Sequence, residues 1–457
     1  MKKKISDIVK ITNGELVSGN KDKLVTGITT DSRKVESGDL FVALTGEKFD
    51  GHNFVNTALE KGAGAAVIEK EHKEKFKMLN YPVIAVENTL QALGAIAHSH
   101  RKQFRIPVVA ITGSNGKTTT KDMVSSVLQQ KFNIIKTEGN YNNEIGLPLT
   151  LLKIAEDTQA AVVEMAMRGL GQIKYLCEIA SPDVGIITNI GPVHYELLGS
   201  MENIAKAKGE LIEGLPDNGL AIVNGEDTWC RRIASSFSGR IITYGFSKES
   251  AIRAEKIKLE NFSTSFELHF KEEKVNIHLP LPGEHNVLNS LAAAAVGIYF
   301  GLSLQEIAQG LNSVKISSMR LEVTEGPRKS IIINDSYNAN PVSVKASLNV
   351  LSNMSNGRKI AVFGDMLELG QLAVEGHREV GKTVSQYKLD YLITVGNLAQ
   401  EIAREAIRTG MPQERVYQFD ETEAAAKILS KILIKDDIVL IKGSRSMKME
   451  EILLRLS

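Results

Sequence analysis

Cysteine is scarce in this 457-residue chain, with only Cys177 and Cys230. Two cysteines cannot frame a disulfide-stapled scaffold, and no Cys/His cluster has zinc spacing. Both fit a reducing compartment. An excess of one charge is missing as well: 55 Lys and Arg meet 54 Asp and Glu, a formal net charge of +1. Such a chain has no global field for duplex nucleic acid or an anionic membrane, so no nucleic-acid partner is expected. No apolar run approaches the roughly 20 residues that span a bilayer. The most apolar stretch, Leu291 to Leu302, reads as a buried core helix. Met1-Lys2-Lys3-Lys4 could open a signal segment, but Asp7, Lys10 and Glu15 break the apolar run that such a segment needs. These absences predict a cytoplasmic protein without membrane insertion, expected as a monomer. What is present, 43% hydrophobic and 24% charged residues, is an ordinary globular mix. At roughly 150 residues per domain, the length predicts about three domains.

The chain divides by pattern into an α/β protein of three domains. Residues 1–105 hold short strand-like runs at Leu40–Leu44, Ala65–Ile68 and Pro82–Val86, with a helical pattern over Asn53–Lys61, and predict a small mixed α/β domain. A helix over Leu90–Lys102 leads to Pro107, which biases Ile106 away from helix and marks a boundary. Residues 106–317 alternate strands and helices, predicting a central domain built on a parallel sheet with helices on both faces. Its runs are Val108–Thr112, Ala160–Glu164 and Val184–Asn189. From about Gly239 to Pro282 the period changes to two, as in Phe266–Phe270, which predicts an antiparallel appendage. Residues 318–457 alternate again through Ile331–Ile333, Ile360–Phe363, Tyr391–Val395 and Ile438–Ile441, a Rossmann-like unit. It lacks G-x-G-x-x-G after its first strand, so no dinucleotide site is expected.

The strongest motif is Thr112-Gly113-Ser114-Asn115-Gly116-Lys117-Thr118-Thr119, between a strand and a helix. Its glycines let backbone N–H groups curl around phosphate oxygens, at a helix N-terminus of partial positive charge. Lys117 would neutralise the β- and γ-phosphates and Thr118 would hold magnesium. Ile111 stands where the general loop has its first glycine. Glu164 ends an apolar strand, a costly place for an unpaired charge, and reads as a magnesium ligand at the carboxyl edge of the sheet. His194 follows the next strand at that same edge. On a helical wheel over Met201–Gly214, Lys206 faces water, whereas Lys208 meets Ile204, Leu211 and Ile212. Lys208 is therefore either snorkelling or functional.

These residues resemble one family over essentially the whole chain, the ATP-dependent Mur ligases, which extend the peptide of the cell-wall (peptidoglycan) precursor. The loop at 112–119 is similar to the family's ATP loop, Glu164 to its strand-end glutamate, and His194 to its metal-binding histidine. Lys208, fourteen residues after His194, stands where related ligases carry a carbamylated lysine (N6-carboxylysine). The stretch 282–289 resembles the family's adenine-side segment, implying roles for Asn286 and Asn289; read without the family, those asparagines could merely cap a helix. Arg320 matches the arginine that reaches the γ-phosphate, and Asp335 the acid near the ribose.

Asp31–Val35, Gly38–Phe41 and Asp50-Gly51-His52 resemble a uridine-nucleotide domain, implying that Ser32 and Arg33 grip the diphosphate end. Three further segments, 139–148, 334–341 and 363–370, look like the family's last member, which adds D-Ala-D-Ala. The Asp-Asn-Pro-Arg motif of the diaminopimelate-adding member is absent. The resemblance implies that Asn142 and Asn143 seat the muramyl peptide and that Asn338 and Asn340 bond nucleotide or dipeptide. It also implies ATP and Mg2+ as cofactors, UDP-MurNAc-tripeptide and D-Ala-D-Ala as substrates, and an acyl-phosphate route. The rivals are another ligase of the superfamily, tripeptide-forming or of folylpolyglutamate synthase type, and a non-catalytic nucleotide switch. The loop Gly443-Ser444-Arg445-Ser446 reads equally as an anion site or a helix cap.

Overall fold

Short runs of Val, Ile and Ala, buried on both faces, can only pair as sheets covered by helices. The computed structural model describes residues 1–46 and 49–456, and its three large sheets are of this kind. In the first, five strands run in the order Glu15–Ser18, Val83–Val86, Ala65–Glu69, Asp39–Val42, Gly27–Thr29. All pair in parallel except Glu15–Ser18 at the edge. The helical pattern over Asn53–Lys61 resolves into a 3-10 turn at Gly51–Phe54 and a helix at Val55–Glu60. The helix Thr89–Arg101 starts where the Asn88 side chain accepts from the Gln91 N–H. It buries Leu93, Ile96 and Ala97 in a core that continues through Val108 and Ala110 to Leu147 and Leu151. One apolar core thus runs through the Pro107 boundary.

The second sheet has nine strands, in the order Glu273–Leu279, Thr264–Phe270, Ile252–Leu259, Arg240–Gly245, Leu220–Asn224, Val184–Ile187, Val108–Thr112, Ala160–Glu164, Ile134–Lys136. The antiparallel appendage begins later than the sequence pattern suggests. Arg240–Gly245 pairs in parallel with Leu220–Asn224, and its burial does not alternate. Alternation starts at Ile252, where one face alone is covered, by the helix Glu284–Tyr299. The next three strands pair antiparallel in succession and continue the same sheet.

The third sheet runs Glu322–Glu325, Ile331–Asn334, Ile438–Lys442, Lys359–Gly364, Tyr391–Val395, Val416–Phe419, all parallel except the first. It has a separate core on each face. Among the described residues no helix is long and apolar enough to cross a membrane. Parallel pairing places the carboxyl ends of Val108–Thr112, Ala160–Glu164 and Val184–Ile187 side by side, with Glu164 opposite Ile111 and Ile187 opposite Thr112. That edge is where open parallel sheets bind ligands.

Candidate active site

The loop after Thr112 has a shape that only glycine permits at two points. Gly113 has φ +147 and Gly116 φ +81. A Cβ on Gly113 would lie 1.9 Å from Thr188 Oγ1, and one on Gly116 2.5 Å from Asn289 Oδ1. The segment after Val184–Ile187 fixes the loop. Ser114 N–H donates to Asn189 O at 2.9 Å, Asn115 N–H to Asn189 Oδ1 at 3.0 Å, and Thr188 Oγ1 to Asn115 O at 2.6 Å. Gly116 then caps the helix Lys117–Leu128, whose first residues line a cavity of about 370 Å³. That is the size of a small-molecule site.

Two lysines converge on one carbonyl. Lys117 Nζ donates to Gly113 O at 2.9 Å, and Lys208 Nζ to the same oxygen at 3.0 Å. Burial holds the Lys117 ammonium below the usual lysine range, with Glu164 opposing the shift. Burial and then Lys117 push Lys208 down much further. Lys208 is 2% exposed and sits behind the loop rather than on the cavity wall, whereas Lys206 faces solvent.

Glu164 is 1% exposed, and both carboxylate oxygens are engaged by neutral donors. Thr118 Oγ1 donates to Oε2 and Asn142 Nδ2 to Oε1, each at 2.8 Å. Arg320, at the start of the third unit, donates from Nη2 to Thr118 Oγ1 at 2.8 Å. His194 also lines the cavity, in a left-handed backbone conformation, with Nδ1 2.6 Å from Glu368 Oε2. Burial lowers its pKa, and Glu368 opposes this. Arg168 donates to the other Glu368 oxygen at 2.7 Å, so Glu368 ties the third unit to the second.

On the opposite wall, Asn289 Oδ1 accepts from Thr120 Oγ1, and Asn286 Oδ1 accepts from Asn289 Nδ2. The neighbouring His285 is pushed down to about 4, chiefly by burial. Asp335 takes Lys442 Nζ at 2.5 Å and Ser347 Oγ at 2.6 Å on one oxygen, and the Leu321 N–H on the other. Asn340 Nδ2 donates to Asn115 Oδ1 at 2.6 Å, and Asn338 lines the cavity.

Beyond Gly113 and Lys208, three of the sequence-derived candidates do not line the cavity. Asn143 accepts from the Gly146 N–H at the start of the helix Gly146–Leu151 and does not line the cavity. Ser32 and Arg33 belong to the first unit. Arg33 forks onto Asp31 at 2.9 and 2.8 Å, which holds that carboxyl down at about 2, and its side chain is 84% exposed.

The cavity suits an anion with a hard cation. Of the residues lining it, Arg320 and Asn115 each bury a nitrogen, Nε and Nδ2, that has no hydrogen-bond partner among the described residues. Thr118 and Glu164 supply oxygen donors of the kind magnesium prefers, with the His194 imidazole on the same wall. Among the described residues, another cluster, Asp50, His52 and His72, has ligand-like spacing. His52 Nε2 accepts the Glu69 N–H at 2.9 Å, so its proton sits on Nδ1, 2.6 Å from Asp50 Oδ1. That leaves His52 no lone pair for a metal.

Sequence reasoning passed over His285, Tyr337, Lys442 and Glu368. Lys442 ends an apolar strand, the same signal that exposed Glu164. Tyr337, His285 and Glu368 lie inside segments singled out for other residues, and nothing local marks them.

Comparison with known proteins agrees along the whole chain. Residues 24–101 match "Mur ligase family, catalytic domain", 111–297 "Mur ligase middle domain", and 319–445 "Mur ligase, glutamate ligase domain". The UDP-N-acetylmuramoyl-tripeptide–D-alanyl-D-alanine ligase of Bacillus subtilis is 38% identical, over 99% of this chain and 98% of its own length. A crystal structure of MurF from Acinetobacter baumannii superposes with a TM-score of 0.90 at 32% identity, covering 100% of this chain and 99% of that one. MurF from Thermotoga maritima in complex with ADP gives 0.84 at 30% identity, covering 94% and 97%. With its loop, strand-end acid and inter-domain arginine around one cavity, the chain belongs to the Mur ligase family.

Proposed function

We propose that this chain is an ATP-dependent ligase that joins D-Ala-D-Ala to UDP-MurNAc-tripeptide, giving the pentapeptide precursor of peptidoglycan, ADP and phosphate. The observation that carries the reading is that Arg320, from the third unit, bonds the Thr118–Glu164 pair while Lys117, from the loop, lies near enough to interact with the charges of Glu164 and Arg320. Cations converging on one floor match the demands of a moving phosphoryl group.

A carboxylate is a poor electrophile. ATP therefore transfers its γ-phosphoryl group to an oxygen of the tripeptide's terminal carboxylate, and ADP leaves. The D-Ala-D-Ala amine attacks the acyl carbon, loses a proton, and phosphate departs from the tetrahedral intermediate. Lys117 and Arg320 offset charge on the transferred group. Asn286 and Asn289 face the adenine, Asp335 the ribose, and Gly113 to Thr119 the phosphates. Thr118, Glu164 and His194 would hold Mg2+, which supplies Lewis-acid charge when bound. Lys208 is suited to carbamylation, because its depressed pKa leaves a neutral amine to add carbon dioxide. Asn142 and Asn143 are assigned to the muramyl peptide, and Asn338 and Asn340 to the nucleotide or the dipeptide. Ser32 and Arg33, exposed on the first unit, are assigned to the uridine diphosphate.

By this reading residues 1–105 bind the uridine nucleotide, 106–317 bind ATP, and 318–457 close over ATP and dipeptide. We read the enzyme as a monomer in the cytoplasm, where ATP is, testable by sedimentation and by cell fractionation. Purified protein should release ADP and form pentapeptide only when tripeptide nucleotide and D-Ala-D-Ala are both present. Tripeptides ending in lysine and in diaminopimelate should both be offered. ADP release indifferent to D-Ala-D-Ala would favour a nucleotide switch, and glutamate addition to a folate would favour the folylpolyglutamate synthase type.

A further inference from the structure

We infer that Tyr337 is a positioning residue that presents Arg320 to the γ-phosphate, an inference that rests on the ligase reading. Arginine has a long, flexible stem, and a guanidinium that must meet a phosphoryl group needs its plane fixed. The Arg320 guanidinium carbon lies 4.0 Å from the centroid of the Tyr337 ring, which itself lines the cavity. Contact through the flat face leaves the N–H edge free for an anion. One edge donor, Nη2, rests on Thr118 Oγ1, and Nε is buried with no hydrogen-bond partner.

The backbone supports the same role independently. Both neighbours of Arg320 are left-handed, Met319 at φ +60 and Leu321 at φ +51. Side-chain-bearing residues hold such conformations only where surrounding bonds impose them. Here Tyr337 N–H donates to Met319 O at 3.2 Å, and Leu321 N–H donates to Asp335 Oδ1 at 3.2 Å. The segment beyond the strand Ile331–Asn334 therefore grips Arg320 twice, by its backbone and by its ring. Among the described residues no hydrogen bond from the Tyr337 hydroxyl contributes to this grip, so an aromatic ring is the feature required.

The test is binding of ADP and of a non-hydrolysable ATP analogue to the full chain, with thermal melting to confirm folding. Only the analogue carries the group Arg320 would touch. Tyr337→Leu should lower the preference for the analogue over ADP by about three- to tenfold, the range of a cation–π contact. The ADP affinity should be unchanged, and Tyr337→Phe should restore the preference. In an Arg320→Lys background, Tyr337→Leu should change the preference by less than about twofold, because the two residues act as one unit. Equal losses for ADP and analogue, or full additivity with Arg320→Lys, would overturn the assignment. If the preference shifts as stated while no pentapeptide forms, the ligase reading fails and the Tyr337 assignment stands.

Discussion

Glu164 and Lys117 bring opposite charges to the same buried floor, and neither is neutralised by a direct partner there. Glu164 is held by Thr118 and Asn142, and Lys117 by the Gly113 carbonyl. Such groups stabilise the fold poorly and suit charge that arrives with a substrate. Lys117→Ala and Glu164→Ala should each lower kcat by about a hundredfold or more. Melting temperatures should stay near wild type; near-normal turnover would remove that residue from the mechanism. At Lys208 the depressed pKa makes a second case. If a carbamate forms, Lys208→Ala should lose activity and regain part of it with added short carboxylic acids. No rescue, with an unmodified amine in electron density, would count against the modification. Glu164 was legible in sequence because a charge ending an apolar strand is costly. Arg320 was not, apart from family resemblance, because only docking of the third unit carries it to Thr118.

Among the elements, the phosphate loop depends on backbone more than on side chains. Gly113→Ala would force a Cβ to within 1.9 Å of Thr188 Oγ1 at a φ that alanine rarely adopts. It should cost about 1–3 kcal/mol of stability and most of the ATP affinity, read by denaturant midpoint and calorimetric titration. Gly169→Ala, with nothing within 4 Å of its Cβ, should change neither. Equal behaviour of the two variants would mean that the loop geometry is unimportant. Strands of the parallel sheets were legible because they are buried on both faces and read as continuous apolar runs. Short edge strands such as Glu322–Glu325, exposed throughout, carry no such signal. The start of the appendage was misplaced because the two-residue period of the strands after Ile252 was extended back over Arg240–Gly245, where the chain adds another parallel strand.

Each unit carries at least one histidine whose pKa is held down by burial. Burial depresses the pKa of His100 in the first, His285 in the second and His377 in the third. For His377 the hydrogen bonds agree: Nε2 accepts the Met366 N–H and Nδ1 donates to Ala373 O. A base with a lowered folded pKa binds protons more readily when unfolded. Its contribution is fully present above the unfolded value of about 6.5 and is lost as pH falls toward the folded one, about 4 for His285. Melting temperature should therefore drop between about pH 7 and pH 5, and His285→Gln should shallow that slope. A flat profile would mean that these imidazoles are not held neutral. The units also share structure, through the core common to the first two and through Glu368 bridging the second and third. Those contacts join residues far apart in the chain, beyond any local pattern.

The central claim is that the γ-phosphoryl group of ATP passes through the substrate carboxylate. Tripeptide nucleotide carrying heavy oxygen in its terminal carboxylate should be turned over with D-Ala-D-Ala, and the released phosphate weighed by mass spectrometry. One labelled oxygen transferred to each phosphate is the result expected here; unlabelled phosphate accompanying labelled pentapeptide would contradict it.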